Sequence, residues 1–270
     1  MFIFLHQLSL QSMFTVVLLV CLAICWLVIG LVRCAVAYCG YERTEPLPIR
    51  DSVIGSCTTV FGLMVAFSAA GLWNDAISAR NAVQREADAI ENAFVLNVAL
   101  PANIQQKVND DLKAYVAKVI SIDWPAMNNG DGADSPVFDT SERYLLEAIA
   151  LLSRQQAATG TSVASAPLVE QLLAIRHARL ARLSASDAGM SWAQWIAIWI
   201  ISTMTVLAIA ICNNHVFRMQ IVATHIFVVV VSAAYFVILA YDRPFVGTIS
   251  IKPAAFLSLQ SDVPASLSSP

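Results

Sequence analysis

Charge is scarce in this sequence. Only 13% of its 270 residues are Asp, Glu, Lys or Arg, about half the share of an ordinary soluble domain. With 58% hydrophobic residues and a mean hydropathy of +0.67, the chain is too apolar to solvate a conventional globular surface. Neither sign of charge dominates: the net charge is -3 and the Lys and Arg are dispersed. That excludes the extended basic footprint on which nucleic-acid binding depends. Catalytic signatures are missing as well. There is no HExxH, no GxSxG, no Walker loop and no GxGxxG, so no enzyme class has a residue set to rest on. His6, His177, His215 and His225 lack ligand spacing. The acidic pairs Asp110-Asp111 and Glu86/Asp88 fall where a solvated helix face is expected and lack a third ligand. No metal and no cofactor is expected. No CxxC pair occurs among Cys21, Cys25, Cys34, Cys39, Cys57 and Cys212. Cys34 and Cys39 would pair only if their loop faced an oxidising compartment.

What the sequence does contain is long apolar runs. Met13 to Val32 carries no charge and is long enough to span a bilayer, with Arg33 marking a polar interface. Ala35-Val-Ala37 has the form of a signal-peptide cleavage site, but the basic n-region is missing and the apolar run is too long for a signal. A loop with Arg43, Pro46 and Pro48 leads to a second span, Ser52 to Trp73, with Asp51 or Ser52 as its N-cap. Trp192 to Ile211 and Met219 to Tyr241 form two more spans around a short turn, with Trp192 and Trp195 at interface depth. His225, inside the last span, must face protein or water. A neutral histidine bonded to a neighbouring helix is the simpler reading, and a proton relay is the alternative.

The second span does not stop at the membrane. Ala76, Ala79, Val83, Ala87, Ile90, Phe94 and Val98 continue it at helical spacing without Gly or Pro. Asp51 to Leu100 is predicted to be a single rod of roughly 73 Å against a hydrocarbon layer of ~30 Å. A second soluble helix follows Pro101 and ends near Trp124-Pro125. Met127 to Val137 reads as a loop, and Asp139 with Glu142 has capping-box spacing for a helix to about Gln156. Another loop, Ala157 to Ala166, precedes a helix opened by Pro167. The expected fold is all-α: a four-span transmembrane bundle with a helical domain inserted between spans 2 and 3. Its divisions are 1–73, 74–190, 191–242 and a tail, 243–270.

Orientation follows from Lys and Arg near the span ends. Arg80, Arg85, Arg176, Arg179, Arg182, Arg243 and Lys252 flank the helical domain and tail, outnumbering Arg33, Arg43, Arg50 and Arg218 on the other side. Both termini and the helical domain are therefore expected in the cytoplasm. Arg176, Arg179 and Arg182 form a cytoplasmic basic rim, touching phospholipid headgroups or drawing in anions.

In the second span, Ser52, Gly55, Thr59, Gly62, Ala66 and Ala69 are small and share one face, while Ile54, Phe61, Val65 and Leu72 share another. Small faces let helices pack closely. The alternative is a pore wall, which four spans can build only with several copies around a symmetry axis.

Val65-Ala-Phe67, Trp73, Ala79-Arg80, Arg85 to Ala89, Asp123-Trp-Pro-Ala126, Arg179-Leu180, and Asp242-Arg-Pro-Phe-Val-Gly247 followed by Pro253 and Phe256 carry a resemblance. From about Asp51 to Phe256 the chain resembles the bestrophin-like family of bacterial membrane proteins. The resemblance implies a distant relation to bestrophins, pentameric anion channels whose second span lines a hydrophobic neck. It therefore implies a homo-oligomer, a pentamer foremost, in a bacterial inner membrane, with lipids and small inorganic ions as its other partners. The tail lacks the acidic cluster by which animal bestrophins hold calcium, since Asp262 stands alone. The leading expectation is an anion channel, with pore-lining candidates either Phe61, Val65 and Ser68 or the Thr59, Gly62 and Ala66 face. The alternative is a non-conducting membrane scaffold or sensor whose soluble helices bind a partner.

Overall fold

A computed structural model describes residues 3–6, 8–39, 50–159 and 165–266. The loop containing Arg43, Pro46 and Pro48 lies outside them, and of Asp262 only the backbone is described. Every regular element among the described residues is helical. Four helices are long and apolar enough to cross a membrane. They are α2 (Leu10–Cys39), α3 (Arg50–Asn97), α8 (Trp192–Cys212) and α9 (Phe217–Tyr241), and the short α1 (Ile3–His6) precedes them. Between α3 and α8 lie α4 (Ala102–Lys118), α5 (Trp124–Asn129), α6 (Asp139–Thr159) and α7 (Ala166–Ser186). The tail adds α10 (Ala254–Ser266).

The chain divides into two compact units, one formed by Met1–Asn74 with Gly189–Asp242, the other by Asp75–Ala188 with Arg243–Pro270. In the first, α2, α8 and α9 pack mutually, and Phe61 of α3 joins Cys25, Ile29, Ile198, Val206, Val228 and Tyr235 in the core. Outward-facing residues are also apolar: Leu19, Leu27, Ile200 and Ile226 are all exposed. A bundle apolar inside and out suits a hydrocarbon solvent, where water-driven burial cannot hold helices together. Instead α9 buries a row of small polar side chains, Gln220, Thr224 and Ser232. Each hydroxyl returns its proton to the carbonyl four residues back, so no donor is stranded.

The second unit is a water-type core. Ile90 and Ala93 of α3, Leu112 and Tyr115 of α4, Leu145 and Leu152 of α6, and Leu168, Leu172 and Ile175 of α7 meet in it. Their three- and four-residue spacing is the apolar stripe expected of amphipathic helices.

Several boundaries differ from the sequence expectation for identifiable reasons. Helix α2 runs through Cys34 and Cys39, which are free and exposed; five residues apart on a helix they sit about 140° from each other and cannot pair. Asp51 and Ser52 lie within the first turn of α3. Beyond α4 the chain continues as a π turn, Val119–Asp123, into α5, which ends at Gly130 with φ 82°. The expected loop therefore starts after Met127, which is buried. The Asp139–Glu142 box does not form. Asp139 is already helical at φ -62°, and the Glu142 carboxylate is taken by Arg176 and Arg179. A capping box forms instead at Ser191 and Gln194, opening α8.

Candidate functional site

Two places carry the residues singled out from the sequence: the membrane part of α3 and the centre of the second unit. On α3, Phe61 and Ser68 are 5% and 8% exposed and point into their own bundle. Phe61 stands edge-on to Phe227 with ring centroids 5.5 Å apart. Val65 is half-buried beside that contact. Thr59, Gly62 and Ala66 are exposed, and a Cβ added at Gly55 or Gly62 would meet nothing within 4 Å. The chain therefore uses the large face for its own packing and leaves the small face free. Next to that face runs a second free row absent from the sequence expectation, Val60, Leu63 and Phe67, exposed by 49%, 55% and 68%. Its three- and four-residue spacing was visible, but nothing local distinguishes it from a core stripe.

Arg179 and Arg182 do not form a rim. They lie on the inner side of α7 beside Leu172 and Ile175 and are 1% and 0% exposed. Arg182 grips Glu86 of α3 as a fork, Nε to Oε2 at 2.7 Å and Nη2 to Oε1 at 3.1 Å. Its Nη2 also reaches Asp123 Oδ2 at 3.2 Å. Asp123 closes the π turn that Val119 opens, and both are buried. Ser141 donates to Asp123, at 2.9 Å to Oδ1. Arg179 Nη1 pairs with Glu142 Oε2 at 3.1 Å, and its Nη2 donates to the Phe138 carbonyl. Arg176, the partly exposed member, pairs with Glu142 Oε1 at 3.1 Å. Three guanidinium groups thus face three carboxylates, Glu86, Asp123 and Glu142. Glu86 and Asp111, expected on a solvated face, are both buried; Asp111 holds Lys107 at 2.8 Å.

Aromatic rings close this centre. The Arg182 guanidinium lies over Trp124 at 5.3 Å and Phe256 at 5.9 Å. Trp124 also packs on Phe245 and donates its Nε1–H to the Ile251 carbonyl. Arg243 reaches the Ser186 and Asp187 carbonyls at 3.5 Å, where the negative end of α7 favours a cation. Glu86, Asp123-Trp124, Arg179 and Pro244-Phe245 are scattered in sequence, yet they converge here.

Burial and the Glu86 carboxylate push the Tyr115 hydroxyl well above the usual phenol range, and it donates to Glu86. Burial opposes the Arg182 cation, but Glu86, its hydrogen bonds, Tyr115 and Asp123 more than offset that, so its proton is held more firmly than usual. Burial raises the Asp123 carboxyl, and Arg182, Ser141 and Arg179 lower it only in part. A carboxyl raised on folding favours the native state most below the unfolded value, near pH 4, and loses that contribution as pH rises through the folded value. The stability lead of wild type over Asp123→Asn is therefore expected to shrink as pH rises from about 4 toward neutrality and beyond. Thermal melts across that range test it, and a widening lead refutes it.

His225 is bonded within its own helix, its Nδ1 to the Ile221 carbonyl at 2.8 Å, with Trp26 edge-on at 5.4 Å. The neighbouring helix supplies that ring.

The model of the Bestrophin-like domain matches residues 48–256. The chain belongs to the Bestrophin-like family. No curated protein matches it. Among solved structures, a substituted bacterial Bestrophin homolog from Klebsiella pneumoniae superposes with TM-score 0.68 at 11% identity, covering 92% of this chain and 96% of that one. A second substituted form gives TM-score 0.67 at 13% identity, with 94% and 97% covered. At such low identity the likeness is one of fold, and it extends over nearly the whole of both chains. This is a membrane protein of all-α, four-span architecture with its helical domain inserted between α3 and α8.

Proposed function

We propose that this Bestrophin-like chain assembles as a homopentamer in the bacterial inner membrane and conducts anions along the symmetry axis. The observation that carries the reading is the free face of α3. An uncharged wall of Thr59, Gly62 and Ala66 beside Val60, Leu63 and Phe67 is left unused by the protomer. Repeated around an axis, the small row lets neighbouring helices approach and the large row narrows the path into a hydrophobic constriction that gates by dewetting. A wall without charge favours ions that shed water easily, so iodide, nitrate and thiocyanate pass better than chloride. Both termini and the second unit face the cytoplasm.

Purified protein in liposomes is expected to discharge an anion gradient, with the weakly hydrated ions fastest. Cation flux equal to anion flux, or tight vesicles in every salt, rejects the proposal. A reporter active only outside the cytoplasm, fused after Pro270, should stay dark.

One observation supports a second reading, a membrane-anchored scaffold. Leu173 and Leu180 lie two turns apart on α7, are 41% and 45% exposed, and flank the exposed His177. Tight vesicles together with partner binding lost in Leu173→Asp would favour it.

A further inference from the structure

The membrane unit contains a cleft that neither the α3 face nor the buried ion pairs involve. It offers about 130 Å³ between Val17 and Val20 of α2, Trp195 and Trp199 of α8, and Tyr235 and Leu239 of α9. Leu5 of α1 closes one end. Tyr235 lies between the two indoles, nearly parallel to both, with centroids 6.4 Å from Trp195 and 4.9 Å from Trp199. Its hydroxyl is already bonded to Ser202 at 2.8 Å. The surface that these residues turn to the cleft is wholly apolar.

That wall chooses its occupant. Water requires two or more polar partners, and engineered apolar cavities of about 150 Å³ stay dry and take up benzene. A quinone head would leave its carbonyl oxygens without donors, at a cost that no other contact here offsets. Hydrocarbon alone fits without penalty. The rim is continuous with the lipid-facing surface: Val16 and Val20 are 37% and 45% exposed, and Ile196 and Ile200 beside the indoles are 48% and 55% exposed. Trp195 and Trp199 lie one to two turns inside the start of α8 at Trp192, about 5 to 10 Å below it along the helix. Trp192 is itself 75% exposed, as an interfacial indole would be. We infer that the cleft holds the upper part of one acyl chain of a membrane phospholipid, laid along the Trp195–Tyr235–Trp199 stack with its headgroup at the Trp192 level. The chain enters from the leaflet that surrounds the N-terminal end of α8, and it braces α2 against the α8–α9 hairpin.

Native mass spectrometry of the full-length protein after detergent washing tests this. Wild type is expected to retain one adduct per chain with the mass of an intact phospholipid. Val17→Phe fills the cleft and should lower retention about tenfold, the equivalent of excluding about two methylenes. Val20→Phe fills it from the exposed rim, where the protein has room to adapt, and serves if Val17→Phe fails to fold. In vesicles, phosphatidylcholine brominated near the carbonyl end of its tails should quench wild-type tryptophan emission more than lipid brominated at the far end. That difference should fall in both variants. Equal retention in wild type and Val20→Phe, an adduct with the mass of a free fatty acid, or no saturable adduct overturns the inference.

Discussion

Arg182→Met lowers the stability of the second unit by about 3 to 5 kcal/mol, the usual result of leaving buried carboxylates without their partner. Glu86 and Asp123 are both fully buried and both bonded to this guanidinium. Removing it takes away the fork on Glu86 and the cation that lies over Trp124 and Phe256. Hydrogen exchange over Ala166–Ser186 in the full-length protein should accelerate by about two to three powers of ten. Arg182→Lys keeps the charge but not the planar fork, so its loss should be intermediate. Glu86→Gln combined with Arg182→Met should recover much of the loss, because a neutral replacement of a buried pair is often tolerated. Exchange unchanged in Arg182→Met would show that the centre contributes little to holding the unit together.

Three changes on α3 are expected to separate packing from conduction. Gly62→Leu leaves the protomer intact, since a side chain there meets open space. It should nonetheless cut anion flux at least about tenfold, by wedging neighbouring copies apart or by filling the path. Phe67→Ala removes an exposed ring and, on the proposed pathway, should raise flux by widening the constriction, with little change in melting temperature. Phe61→Ala behaves oppositely. Its ring packs on Phe227 inside the bundle, and truncation costs about 3 to 5 kcal/mol as a core cavity. Liposome flux and thermal melts measured on the same preparations decide the matter. Flux unaffected by both Gly62→Leu and Phe67→Ala would remove α3 from the pathway.

The buried centre shows where a linear reading loses information. Arg176, Arg179 and Arg182 look alike in sequence, spaced by three just before an apolar span. Yet one is partly exposed and two are among the most buried side chains in the protein. Arg182 finds Glu86 at a separation of 96 residues, and Asp123 at 59. The helical pattern places Arg179 and Arg182 on the same side of α7 as Leu172 and Ile175, which was a legible signal. Which carboxylates would meet them was not legible, because Glu86, Asp123 and Glu142 are supplied by other helical segments far away in sequence. Phe245 and Phe256 of the tail are likewise far from Trp124 in sequence, and only the fold brings both rings against its indole.

What the sequence determined alone is the helical class, the four spans and one long helix, expected over Asp51 to Leu100 and found over Arg50–Asn97. Those follow from local properties: charge-free length set against the thickness of hydrocarbon, apolar spacing of three and four, and the absence of Gly and Pro between Trp73 and Val98. Only the tertiary structure decided which face of α3 stays free and which arginines become core. A stripe of residues along a helix is the same stripe whether it meets a partner, lipid or water. The choice depends on what the rest of the chain brings against it: Phe227 against Phe61, Glu86 and Asp123 against Arg182, and nothing against Gly62.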